Sequence, residues 1–316
     1  MTRLPAGLAL MCLLATISAG DPPSASFNVG VLRRDGIVVP FATFDGKRWR
    51  SHWPEPAEKV NQIPISVTSI PSRWWGGTGP LATWQAWVGT DPPHMLHVRQ
   101  PDWFPVHCVR QIGLRTDYQP SEAAPGFDAE PYPKDGLVVS PPQGVESIEI
   151  VPVETIDVTR EVRTAFDQAE NKAIAELRLQ DWIDPAVGMD RKSLPLSLEA
   201  AYAHGEADGL RTYYIELSRE YANRDPKHPG CLRVTFGSGW FLRDRSGSFQ
   251  ATKFVAGPVD CDRSSALYML PLGVIRTTGR LFWIFQHSGW DFERYVITEI
   301  KSGRPSESLS VLGGRC

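Results

Sequence analysis

Short apolar runs, many alternating with polar residues and separated by Gly, Pro and Asp, recur along most of the chain. A period of two marks strands with one buried face. Segments 27–33 and 37–44 flank Arg34-Asp35-Gly36, a strong hairpin turn, and Asp45-Gly46 leads on to Lys47-Arg48-Trp49-Arg50. Further runs follow at 63–70, 82–88, 95–98 and 106–114. From Tyr118 to Gly144 the pattern gives way to Pro120, Pro125, Pro131, Pro133, Pro141 and Pro142 among acidic and small residues, which reads as a linker or a surface-hugging connection.

One stretch, 159 to about 179, changes to the helical period. Val162, Phe166, Ala169, Ala173 and Leu177 share a face, Arg163, Asp167, Glu170 and Lys172 form the solvated side, and Thr159 or Asp157 can cap the start. A long antiparallel series follows at 196–203, 210–221, 231–242, 249–257, 267–276, 281–287 and 292–300. Within 281–287, Phe282, Ile284 and Gln286 alternate with Trp283, Phe285 and His287, so both faces are largely apolar. This predicts a central strand buried on both sides, with the helix covering one of them. The fold class expected is therefore mainly β with one long helix. It comprises a small Trp-rich all-β module over 27–118, a Pro-rich linker over 119–144, an α+β domain with an antiparallel meander sheet over 145–302, and a flexible polar tail over 303–316.

Residues 1–20 divide as a cleavable secretory signal: Arg3, an apolar run from Leu4 to Ile17, then Ser18-Ala19-Gly20 before Asp21. Met11 before Cys12 is a poor match to a lipidation site, and no later run approaches the roughly 20 apolar residues that span a bilayer. The mature chain is expected in the periplasm or outside the cell, with no transmembrane segment. Lys and Arg total 33 against 36 Asp and Glu, without a continuous positive face, so nucleic acid is not an expected partner.

Cys108, Cys231, Cys261 and Cys316 remain after the signal, an even set that permits two disulfides in an exported protein. Asp244-Arg245-Ser246-Gly247-Ser248 suits a hairpin loop with Gly247 at the left-handed position. If Asp244 faces Ser248, Cys231 falls opposite Cys261, and a bridge there contributes on the order of 3 kcal/mol by the chain-entropy model. Cys108 with Cys316 follows by elimination.

Candidate chemistry is sparse. Trp49, Trp53, Trp74, Trp75, Trp84, Trp87 and Trp103 crowd the first module. Most suit a core role, while Trp74, Trp75 and Trp103 are the residues best placed to stack on sugar rings. His94, His97, His107 and Cys108 lie near one another, but residues three apart on a strand face opposite ways, so no metal is expected. No cofactor motif is present. The segment 236–247 (Phe-Gly-Ser-Gly-Trp-Phe-Leu, then Asp244 and Gly247) locally resembles the first hairpin of trypsin-like periplasmic proteases. No catalytic histidine follows shortly after it, and there is no Gly-x-Ser-Gly-Gly loop downstream. Ser238 with His287 is a dyad on paper only. Glu216 with Glu220, and Asp291 with Glu293, read as solvated strand faces. His287-Ser288-Gly289-Trp290-Asp291 is a polar cluster at a strand end, either a turn over the sheet edge or a ligand-contacting rim. The function expected is an exported binding or envelope-associated protein that recognises a polysaccharide or cell-wall component through exposed tryptophans. The alternative is a secreted hydrolase with a dispersed site.

Overall fold

The computed structural model describes residues 26–58, 70–71, 74, 83–124, 126, 131–153, 159–178, 191–205, 209–224, 232–259 and 263–316. They form three antiparallel sheets and, among the described residues, one α-helix. The chain is mainly β with one long helix, as the periodicity implies.

The first sheet contains β1 (Phe27–Arg33), β2 (Ile37–Phe44), β3 (Trp49–Arg50), β4 (Trp84–Val88), β5 (His94–Leu96), β6 (Val98–Val106), β7 (Val109–Thr116) and β8 (Lys134–Ser140). Its order is β5-β4-β8-β1-β2-β7-β6, with β3 on β2. The central sheet runs β18-β17-β16-β15-β9. Its strands are β9 (Val145–Glu146), β15 (Tyr268–Thr277), β16 (Arg280–Ser288), β17 (Phe292–Lys301) and β18 (Arg304–Arg315). The third sheet runs β10-β11-β12-β13-β14, made of β10 (Glu149–Ile150), β11 (Ser197–Gly205), β12 (Arg211–Arg224), β13 (Leu232–Arg243) and β14 (Phe249–Val259).

The three sheets stack, and the helix α1 (Arg160–Arg178) lies on the outer face of the third. Phe282 and Ile284 join the core of the first sheet, where the Phe282 ring is 5.7 Å from Phe44 and 5.5 Å from Trp49. Trp283 and Phe285, on the opposite face of β16, pack on Tyr214 and Trp240 of the third sheet, with Trp240 and Trp283 edge to face at 5.0 Å. β16 is thus buried on both sides, but by two sheets. The helix covers instead the far side of β12–β14, where Val162, Ala165 and Phe166 meet Ile215, Leu217, Phe241 and Phe254.

The Thr159 hydroxyl accepts the Val162 N–H at 3.4 Å and so caps α1. Glu170, expected on the solvated side, is 1% exposed. It accepts bonds from Arg219 and the Tyr221 hydroxyl, while Asp167 accepts from Arg219 at 2.7 Å. A buried cation on β12 explains why two acidic residues turn inward.

Two boundaries read from composition are corrected. The segment expected as a linker supplies β8, which fills the slot between β1 and β4 in the middle of the first sheet. Flanking prolines hid a run, Gly136-Leu137-Val138-Val139-Ser140, that is buried throughout. The core, moreover, does not divide near residue 119, because Phe41 and Phe44 pack on Tyr295 and Phe282 across the first and central sheets. The tail expected to be loosely held forms β18, paired along the edge of β17. Ser302 and Gly303, at φ of +50° and +72°, make the tight turn into it. A polar sequence is what an edge strand requires.

Cys108 and Cys316 form a disulfide that ties the β6–β7 turn to the end of β18. Cys231 and Cys261 lie outside the described residues. In the hairpin that lies between them in sequence Gly247 has φ of +84°, and Arg243 faces Phe249. A bulge between Trp240 and Phe241 then shifts the register by one, so that Trp240 faces Lys253 and Val234 faces Val259. The unbroken register on which their pairing was argued does not extend along the hairpin. No described helix is long and apolar enough to cross a membrane.

Candidate functional site

The alternation of β12 sends Tyr214, Glu216 and Ser218 to the face that looks at the central sheet, and all three are buried. Cross-strand pairing extends them into rows. Ala200, Glu216, Ser238 and Val255 lie side by side, and beside them run Tyr202, Tyr214, Trp240 and Lys253. Glu199 belongs to neither row. Leu198 faces Leu217 and Ala200 faces Glu216, so Glu199 is the extra residue of a bulge in β11. A bulge re-aims a side chain, and here it turns Glu199 into the same crevice as Glu216.

This crevice of about 520 Å³ lies between β11–β12 and the start of β15, and Ser288, Gly289 and Trp290 close one end. The Arg263 guanidinium donates to Glu199 at 2.5 Å, and the Tyr268 hydroxyl approaches the other Glu199 oxygen at 3.5 Å. Glu216, 1% exposed, accepts the Met269 N–H at 2.5 Å. Burial is the main reason its carboxyl is pushed up to about 8, the Met269 N–H opposes this, and the nearby Glu199 adds to it. Glu216 therefore carries a proton at neutral pH. The Tyr202 hydroxyl is also raised, first by burial and then by Glu216. Ser288 is 4% exposed, and its buried hydroxyl has no hydrogen-bond partner in the structure. Trp290, in the turn between β16 and β17, is 69% exposed.

No family model, no curated protein and no solved structure matches this chain.

The crevice unites residues that the sequence reading kept apart or set aside. Ser288, Gly289 and Trp290 of the 287–291 cluster form its rim. Glu216, read as a solvated strand residue, is inside, and Glu293, read the same way, is buried against the first sheet. What hides Glu216 is a neighbouring sheet, and one strand's alternation cannot announce that. Arg263 and Tyr268 carried no local signal. Neither did Glu199, whose orientation depends on the bulge.

Of the tryptophans singled out for stacking, the two that are described sit elsewhere. Trp74 is half-buried and meets Trp53 edge to face at 5.7 Å, while Trp53 itself donates to the Ile112 carbonyl at 2.9 Å. Trp103 is half-buried against the core of the first sheet. Trp75 lies outside the described residues. Trp49, Trp53 and Trp84 are buried core residues.

Nor do the clustered histidines converge. The His94 ring stacks on Tyr118, His97 Nδ1 pairs with Asp117 at 2.9 Å, and Cys108 is in the disulfide. Among the described residues no three His, Cys, Asp or Glu side chains come together as a metal site. Ser238 and His287 do line one cavity, next to the crevice. The charged groups acting on His287 are the cations Lys253 and Arg294, and among the described residues no carboxylate is bonded to its ring as a triad would need.

Proposed function

We propose that this is an exported binding protein, in the periplasm or outside the cell, that seats a saccharide of an envelope or extracellular polymer in the crevice beside Trp290. The observation that carries this reading is the exposed Trp290 indole at the mouth of a cleft holding the Glu199–Arg263 ion pair and Tyr268. A flat apolar ring beside convergent planar donors and acceptors suits a sugar, which offers an apolar face and an edge of hydroxyls. The Cys108–Cys316 bridge is compatible with an oxidising compartment.

The test is retention of residues 21–316 on insoluble peptidoglycan, chitin and cellulose, with reducing ends assayed in the same tubes. Trp290→Ala is expected to abolish retention, whereas Trp74→Ala and Trp103→Ala leave it unchanged. Retention on none of the polymers, or retention indifferent to Trp290, overturns the reading.

A second reading, a glycan hydrolase, is supported by Glu216. A carboxyl that keeps its proton at neutral pH can donate it to a leaving oxygen, and a second carboxylate, Glu199, lines the same crevice. Release of reducing ends that disappears in Glu216→Gln would move the protein to that class.

A further inference from the structure

Adjacent to the acidic crevice, and sharing only Ala266 with it, is a cavity of about 470 Å³ between β13–β14 and the segment before β15. Its size is that of a small-molecule site. Its chemistry is unlike its neighbour's. Phe236 and Trp240, each 6% exposed, contribute aromatic walls. Val255 and Leu267, on the other hand, are apolar side chains left 61% and 41% exposed along the same cavity. Among the described residues, Lys253 is the only charged side chain that lines it, and it is exposed and without an ion-pair partner. His287 lines it too, and its Nε2 is buried without a hydrogen-bond partner in the structure.

Among the described residues that line the cavity there is one cation and no carboxylate, so it lacks the paired donor and acceptor that the crevice offers a sugar. It suits an alkyl chain, which would cover the two exposed aliphatic side chains. The polar groups then fix the sign of the head group. Lys253 offers an unneutralised positive charge, and the imidazole offers a hydrogen-bonding atom with nothing to bond. We propose that this cavity binds a monoanionic alkyl amphiphile of the fatty-acid class, with its carboxylate between Lys253 and His287 and its chain along Val255, Leu267, Phe236 and Trp240.

The electrostatics agree with that placement. Burial first, then Lys253 and Arg294, push the His287 imidazole down to about 4, so the ring is neutral at pH 7. A neutral ring can donate from Nε2 to a carboxylate, and the anion in turn offsets the cations that face it. The acidic crevice and its saccharide are not required, because the binding residues are different.

Decanoate, titrated calorimetrically below its micelle concentration into residues 21–316, tests this. The result expected is saturable binding at one site. Lys253→Glu is expected to weaken it by about tenfold or more, the loss of a charge-assisted contact. Val255→Asp is expected to weaken it by a similar factor. Both side chains are exposed, so unchanged circular dichroism and Tm will show that these variants still fold. Decyltrimethylammonium, with the same chain and the opposite charge, should bind at least about tenfold more weakly. Trp290→Ala should leave decanoate binding unchanged. Absence of saturable binding, equal affinity for the two head groups, or indifference to Val255→Asp would each overturn the proposal. Loss of binding in Trp290→Ala would also overturn it, by placing the amphiphile in the acidic crevice.

Discussion

Two buried glutamates on either side of the central sheet are handled in opposite ways. Glu293 of β17 faces the first sheet and is 0% exposed, and Glu216 of β12 faces the central sheet at 1%. Glu293 receives Lys134 at 2.9 Å from β8, the Tyr295 hydroxyl at 2.8 Å and Gln286 at 3.1 Å. Burial alone would raise its carboxyl, but Lys134, then the Tyr295 hydroxyl and the nearby His107, hold it below its ordinary value. Glu216 has a backbone N–H and, among the described residues, no cation bonded to it, and burial drives it up to about 8. The first arrangement is what a packed interface needs, since a charge taken out of water must be neutralised. The second makes sense where a group outside the chain, a proton or a ligand, completes the site. The interface of the first and central sheets is stitched by a salt bridge, and that of the central and third sheets is hollowed by two cavities.

The largest test of this contrast is Lys134→Met. It leaves Glu293 buried without its cation and is expected to lower stability by about 3–5 kcal/mol in urea denaturation. Adding Glu293→Gln should restore a large part of the loss, because the orphaned charge is then gone. Recovery of nothing would mean that the lysine acts through packing alone.

The next test is the pH dependence set by Glu216. An ordinary glutamate releases its proton near 4.5, and in the folded protein this one keeps it to about 8. Between those values the folded state binds more protons than the unfolded one. The Glu216 contribution therefore falls as pH rises from about 4.5 to 8, with a slope approaching ~1.4 kcal/mol per pH unit, and is flat on either side. Glu216→Gln should remove that slope, measured by denaturation at several pH values. A slope that persists in the variant places the proton on another group.

Smaller effects are expected at the crevice mouth. Arg263→Gln should cost less than about 1 kcal/mol, since the pair it breaks is half-exposed. Trp290→Ala should change stability by no more than about 0.5 kcal/mol while removing polymer retention, which would separate a binding residue from a packing one.

Much of the strand pattern is legible locally. Arg34-Asp35-Gly36 turns β1 into β2 at the bounds its alternation implies, and Gly36 has φ of +79°. The helix follows from its period and Thr159, and the two apolar faces of β16 are plain in its alternation. Tertiary neighbours are not legible in this way. Composition cannot reveal that a Pro-flanked run completes a distant sheet, that Ser302-Gly303 pairs a polar tail with β17, or that a bulge swings Glu199 toward Glu216. Each depends on residues far away in sequence. For the same reason the aromatic density near the N-terminus drew attention to indoles that pack, while Trp290 stood in a single turn with its partners 22 to 91 positions upstream, from Tyr268 back to Glu199.

β16, sealed on both faces, has in effect a reading frame. Its even-numbered residues from Phe282 to Gln286 address one compartment, and the odd-numbered ones from Trp283 to His287 address another. Loss of one residue at the Thr278-Gly279 turn would send every side chain to the wrong compartment at once. Phe282 would then meet Trp240, and Trp283 would be driven against Phe44. Insertions and deletions should therefore be tolerated around this strand only outside its ladder, and drift in its two alphabets should proceed independently, each set answering to a different neighbour.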